Sequence, residues 1–348
     1  MRAHFAIRPL VLLPIAAGVL ALALPDARPV GAQTKTGTTI GTFLRIEPDA
    51  RVAGMGNAGV SLDGGLEAFY FNPAAIGRST RHEVVFTHIE WFAGIAFDHV
   101  AATFPLHNQG TLVATVTSLR SGPIDVRTVD QPLGTGERYD VSDLALGAGW
   151  GKPVTDRFSV GAHVSYLQER IWNSTLHSVV LNLGTLYRLS DGGAVLGASL
   201  SNLGTGGGLS GRDLRITYDP DPNANGGNGT LPAEIFTDHY GVPVLLRFGV
   251  SVPYKIDGAN RVRVEVDALH PSDNSESLNL GAEYAYRDRF SLRAGWQSLL
   301  QRDAEGGLTL GAGWSGEMNN SFGYHFAYAF ADQGRLGSAH RVTVGVDF

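Results

Sequence analysis

"AHRVTVGVDF", residues 339–348, decides the fold. Val342, Val344, Val346 and Phe348 fall on one face of an extended chain. Arg341, Thr343, Gly345 and Asp347 fall on the other. A period of two belongs to a strand. A strand that is apolar on one side and ends on Phe348 is either the last strand of a soluble sheet or the last strand of a barrel facing lipid. The rest of the chain separates the two.

The same alternation runs upstream. "NRVRVEVDAL" sets Val262, Val264, Val266 and Ala268 against Arg261, Arg263, Glu265 and Asp267. "FSLRAGWQ" sets Phe290, Leu292, Ala294 and Trp296 against Ser291, Arg293, Gly295 and Gln297. Fourteen such stretches lie near 82–90, 94–105, 111–121, 141–150, 157–169, 175–189, 193–203, 242–254, 260–269, 276–287, 289–298, 305–315, 320–331 and 338–348. Each approaches the ~9–11 residues that a tilted membrane strand needs. The connections sort by parity. The even ones (LHNQ, KPVTDR, SDG, KIDGA, RD, EMNN) are short, and the long ones, 122–140 and 204–241, are the third and seventh. A membrane barrel with both strand ends on the inner side predicts this, with short inner turns and longer outer loops, whereas a sandwich has no reason to sort loop lengths. With the first strand running outward, Trp91, Trp172 and Trp296 fall at outer strand ends and Trp150 and Trp314 at inner ends, as two interface girdles. The expected fold is an all-β, 14-stranded antiparallel transmembrane barrel.

The first residues support export. Arg2 and Arg8 precede an apolar run from Leu10 to Leu24, and Val30-Gly31-Ala32 offers small residues for a peptidase. The run is shorter than the ~20 residues of a spanning helix, so residues 1–32 read as a cleavable signal peptide. With no Cys in the chain, neither a lipid-anchored Cys nor a disulfide is available. The formal net charge is −6, and removing a leader with Arg2, Arg8, Arg28 and Asp26 makes it more negative. That argues against a nucleic-acid partner.

Motifs for chemistry are weak. Gly54-Met55-Gly56-Asn57-Ala58-Gly59 has the G-x-G-x-x-G spacing of a dinucleotide loop. Such a loop follows a buried strand, and "EPDARVA" before it is not one. "GAGWGK", 147–152, lacks P-loop spacing. Asp219, Asp221, Asn223 and Asn225 have calcium-loop spacing, yet Ala224 stands where the loop needs Gly and Thr230 where it needs Glu. No H-E-x-x-H or G-x-S-x-G occurs, so no enzyme, metal or cofactor is expected. Arg247, Arg261, Arg263, Glu265, Asp267 and Arg293 are expected to face the lumen. They form either a ladder of charges paired across it or a polar conduit wall.

The segment 37–77, "GTTIGTFLRIEPDARVAGMGNAGVSLDGGLEAFYFNPAAIG", resembles the N-terminal hatch of the FadL-like outer-membrane family, and most closely its PorV/PorQ branch. The resemblance rests on Phe43-Leu44, Arg51, Gly54-Met55-Gly56, Ala58, Asp63 and Asn72-Pro73-Ala74. Further matches follow in order: "SLSNLG" (199–204), "VDALHPSDNSESLNLGAEYAY" (266–286), "SLRAGW" (291–296) and 328–348. It implies that residues 33–80 fold into the lumen of a barrel formed by 81–348. There Arg51, Gly54, Met55, Gly56, Asp63, Asn72, Pro73 and Ala74 act as structural glue or as a gate. The terminal Phe348 resembles the signal read by the barrel assembly machinery. The expected setting is the bacterial outer membrane, with its lipid as a partner. The expected function is carriage or binding of hydrophobic cargo, with loop residues such as Ile124, Leu133, Leu209, Ile216 and Ile235 available to it. A PorV-like shuttle in type IX secretion, gripping the C-terminal domains of secreted proteins, is the alternative, and a permanently plugged structural barrel is the third.

Overall fold

The computed structural model describes residues 37–221, 223, 229–301, 304–318 and 322–348. The expected signal peptide and Asn225 of the Asp/Asn-rich loop lie outside the described residues. Fourteen long strands form the wall: β1 (Glu83–Glu90), β2 (Ala96–Pro105), β3 (Thr111–Arg120), β4 (Val141–Pro153), β5 (Phe158–Ile171), β6 (Ser174–Arg188), β7 (Val195–Gly204), β8 (Leu245–Lys255), β9 (Asn260–Pro271), β10 (Ser277–Tyr286), β11 (Phe290–Leu299), β12 (Leu308–Met318), β13 (Phe322–Asp332) and β14 (Ser338–Asp347). Each pairs antiparallel with its neighbours in sequence, and β14 closes on β1 with His88 opposite Val342. Closure leaves no sheet edge, which is what a strand structure in lipid requires.

The alternation read in the sequence sets which face each side chain takes. Every strand turns at least one large, exposed apolar side chain outward, such as Phe86, Phe104, Leu112, Leu146, Val164, Leu183, Leu196, Val252, Val264, Leu280, Leu292, Leu310, Phe326 and Val344. A contiguous apolar surface of this extent is not found on soluble monomers. No helix among the described residues is long and apolar enough to cross a membrane.

The inner turns are short, as at 106–110, 154–157 and 287–289. The third and seventh connections carry small hairpins, Ile124–Asp125 with Arg138–Tyr139 and Arg215–Tyr218 with Leu231–Glu234. The fifth connection is only Trp172-Asn173, because β5 and β6 extend beyond their expected ends. Ladder register slips at two places, between Leu181 and Leu183 on β6 and between Leu278 and Leu280 on β10.

Residues 37–82 have no period-two pattern and form short turns instead: Thr42–Arg45, Ala50–Ala53, Leu66–Ala68 and Pro73–Arg78. Most of this segment is buried, packed against the inward faces of the strands. At one end Ile40 N–H donates to Gly241 of the seventh, outer connection. At the other, Arg78 reaches the carbonyls of Thr155 and Asp156 in an inner turn.

Candidate functional site

The N-terminal segment meets the wall in three zones, each floored by glycines of adjacent strands. In the first, Gly54-Met55-Gly56 lies on Gly281, Gly295 and Gly311 of β10, β11 and β12. A Cβ added at Gly295 would overlap the Gly56 amide nitrogen and the Met55 carbonyl carbon. Gly56 itself has φ 69°, and a Cβ there would come within 2.5 Å of the Leu280 oxygen, so this position requires glycine. Thr309 ties the turn down, accepting from Gly56 N at 2.8 Å and donating to Gly54 O at 3.2 Å. The GxGxxG spacing is thus a close-packing device between two backbones.

In the second zone Val60 sits on Gly197 and Gly249. Asp267 accepts from the Gly59 and Val60 amides at 2.7 and 2.9 Å, and Ser61 donates to Glu265 at 3.3 Å. In the third, Asn72-Pro73 covers Gly151, Gly161 and Gly184. Asn72 is fully buried. Its amide donates to Val60 O at 2.7 Å and Thr185 O at 2.9 Å, and its oxygen accepts from Ala74 N at 3.0 Å. Pro73 starts the following turn, where its lack of an N–H costs nothing. Ala74 is buried beside it, and Asp63 pairs with Arg188 on β6.

Charged groups cross between segment and wall. Arg51 bridges Glu67 at 2.9 Å and Glu283 at 2.8 Å, and Arg293 donates to Glu283 at 2.7 Å. Arg247, 3% exposed, pairs with Glu47 at 2.6 Å. Arg263 donates to Ser251, while Arg261 stands half-exposed at the rim with Asp288. All six charged residues expected inside do face inward or stand at the inner rim. The sequence reading missed Arg341, which is buried, donates to Glu47 O at 3.1 Å and lies 5.5 Å over the Trp91 ring. Its signal was present: Arg341 shares a face with Thr343 and Gly345 in the quoted stretch.

Trp150, Trp172, Trp296 and Trp314 are outward and exposed near strand ends. Trp150 donates its indole N–H to Gln109 O of an inner turn at 2.8 Å. Trp91 differs from expectation. It follows the end of β1, where alternation no longer fixes its side, and it turns inward to pack under Arg341. The terminal Phe348 is exposed and stacks on His82, with centroids 5.7 Å apart.

At the outer mouth, Ile40, Phe43 and Leu44 form an apolar cluster with Ile89, Phe97, Ala145, Leu167, Leu176, Val180 and Val242. Leu209 packs against it, whereas Leu133, Ile216 and Ile235 are exposed. Beneath it lies a polar void of about 20 Å³ beside His99, His163 and Arg247, room for about one water. Among the described residues no three His, Asp or Glu side chains converge as a metal site.

A closed antiparallel barrel filled by its own N-terminal chain is a definite architectural class, that of the FadL-like barrels. No family model matches the sequence, and no curated protein does. Solved structures are similar in fold. The toluene transporter TodX of Pseudomonas putida aligns at TM-score 0.52 and 14% identity, over 86% of this chain and 96% of that one. A Pseudomonas aeruginosa FadL homologue aligns at 0.52 and 12% identity, over 86% and 98%. The toluene transporter TbuX of Ralstonia pickettii aligns at 0.50 and 14% identity, over 86% and 97%.

Proposed function

We propose that the protein is exported by its signal peptide to the bacterial outer membrane and there admits hydrophobic cargo at its outer mouth. One observation carries the reading: the apolar residues of the lumen gather at that mouth, and the N-terminal segment supplies Ile40, Phe43 and Leu44 to them. Below this cluster the contacts are polar or glycine-lined. Apolar side chains lining a mouth under outer loops suit an apolar ligand, which would replace the contacts of the segment. The fold likeness to toluene transporters supports the same class of cargo. In this account the zones at Gly54–Gly56, Val60 and Asn72-Pro73 anchor the segment, and residues 40–44 yield to cargo. Trp150, Trp172, Trp296 and Trp314 mark the lipid interfaces, and Phe348 presents the chain to the barrel assembly machinery.

A second reading is a PorV-like shuttle that binds secreted proteins. It is favoured by apolar side chains left bare on outer connections: Val129 is 99% exposed, Leu133 95% and Phe236 82%. A deletion strain distinguishes the two. Loss of uptake of a labelled hydrophobic solute, with unchanged exported proteins, supports the first. Periplasmic accumulation of proteins sharing one C-terminal domain supports the second and overturns the first.

A further inference from the structure

At the short-turn end the lumen widens into a cavity of about 490 Å³, roofed by Arg51 and Glu67 of the N-terminal segment and otherwise lined by wall residues. Its lining is charged, unlike the outer mouth. The hydrogen bonds divide its acids from its bases. Glu283 is held by Arg51 and Arg293, Glu67 by Arg51, Glu83 by the Leu66 amide at 3.1 Å, and Asp347 by Arg81 at 2.7 Å. Asp288 is held by Arg261 at 2.7 Å.

Donors, in contrast, are left over. Arg293 is only 9% exposed, and its Nη1 is buried with no hydrogen-bond partner. His325 Nε2 is buried without one too, the nearest carboxylate oxygen, on Glu67, being 3.5 Å away. On the rim turn, Arg287 only covers the Tyr286 ring at 5.2 Å, and Arg289 makes no side-chain ion pair among the described residues. The wall is cut back beneath the two buried groups. A Cβ on Gly313 would lie 2.7 Å from Arg293 Nη1, and one on Gly345 would overlap the His325 ring.

We propose that this chamber binds a small oxyanion, a carboxylate or phosphate group, between Arg293 Nη1 and His325 Nε2, with Arg287 and Arg289 at its rim. Buried donors without acceptors are costly, and an anionic oxygen gives both a charge-assisted partner. The volume suits a small molecule, and the lining acids are already occupied by their own donors. A free periplasmic anion and the headgroup of an inner-leaflet phospholipid share this chemistry.

The test is calorimetric titration of the purified full-length barrel in neutral detergent at low salt, with inorganic phosphate, succinate and short-chain phosphatidylglycerol. Saturable binding is expected for at least one probe. It should weaken about tenfold or more in Arg293→Gln and His325→Phe, and stay unchanged in Arg138→Ala on an outer loop. Arg293 also holds Glu283, so Arg289→Ala, outside the network that ties segment to wall, is the fold-neutral variant, expected to weaken binding severalfold. Saturation by phosphate or succinate supports the site and assigns a free anion. Saturation by phosphatidylglycerol alone supports it and assigns the headgroup. Absence of binding by all three overturns the proposal, as does binding indifferent to both His325→Phe and Arg289→Ala.

Discussion

Replacing Asn72 with alanine removes three hydrogen bonds at one buried point. Two are donated by its amide to Val60 O and Thr185 O, and one is accepted from Ala74 N. The Val60 and Ala74 groups lose this partner in a fully buried site, at about 1–3 kcal/mol each. Thr185 lies within a strand of the ladder, so its loss counts for less. The sum is about 2–5 kcal/mol, or roughly 30- to 5000-fold in the equilibrium for local opening. The cost falls on the N-terminal segment, because the barrel ladder does not pass through Asn72. Hydrogen-exchange mass spectrometry of residues 57–78 in detergent, with heat-modifiable gel migration reporting on the wall, measures it. Exchange should rise by that factor while migration stays normal. Asn72→Asp keeps the acceptor for Ala74 but turns oxygen toward two carbonyls, so it should open the segment at least as much. Unchanged exchange in both variants, with the barrel intact, would refute the reasoning.

Gly295→Val should displace the turn at Met55-Gly56, since the new side chain meets backbone on the opposing surface. The expected cost is about 1–3 kcal/mol or more, while Gly241→Ala, with open space around it, should be neutral in the same exchange assay. Trp91→Ala should raise exchange in residues 40–46 by uncovering Arg341, whereas Trp172→Ala, on the outside, should leave that region unchanged. Hydrogen bonds from Arg335 hold the Glu305 carboxyl below its ordinary value of 4.5. A depressed carboxylate stabilises its folded contact above the unfolded value and loses that contribution as pH falls through the folded one. The tie between the eleventh and thirteenth connections should therefore survive at pH 4.5 and loosen only on further acidification, as read by spin-label distances between the two loops.

The wall was legible because lipid on one side and packed polar groups on the other enforce a strict period of two. All fourteen stretches became strands, and the loop parity held. Boundaries moved where pairing extends past the pattern, as in β5 and β6. The N-terminal segment had no such signal. Its turns follow no period, and only resemblance pointed to it. Its docking surface was written in the strands, in glycines at alternate positions such as Gly147, Gly149 and Gly151 or Gly311 and Gly313, which read as turn composition until their common inward face is known. Arg341 and Glu47 were missed for another reason: their partners are 294 residues apart, a separation no local pattern reports.

The central claim is that cargo passes only when residues 40–44 leave the outer mouth. The chain has no cysteine, so the pair Ile40→Cys and Val242→Cys gives a single reversible lock within the apolar cluster. Uptake of a labelled hydrophobic solute by cells carrying this variant should fall to the deletion-strain level when the pair is oxidised and recover on reduction. Equal uptake in the oxidised and reduced states would contradict the account.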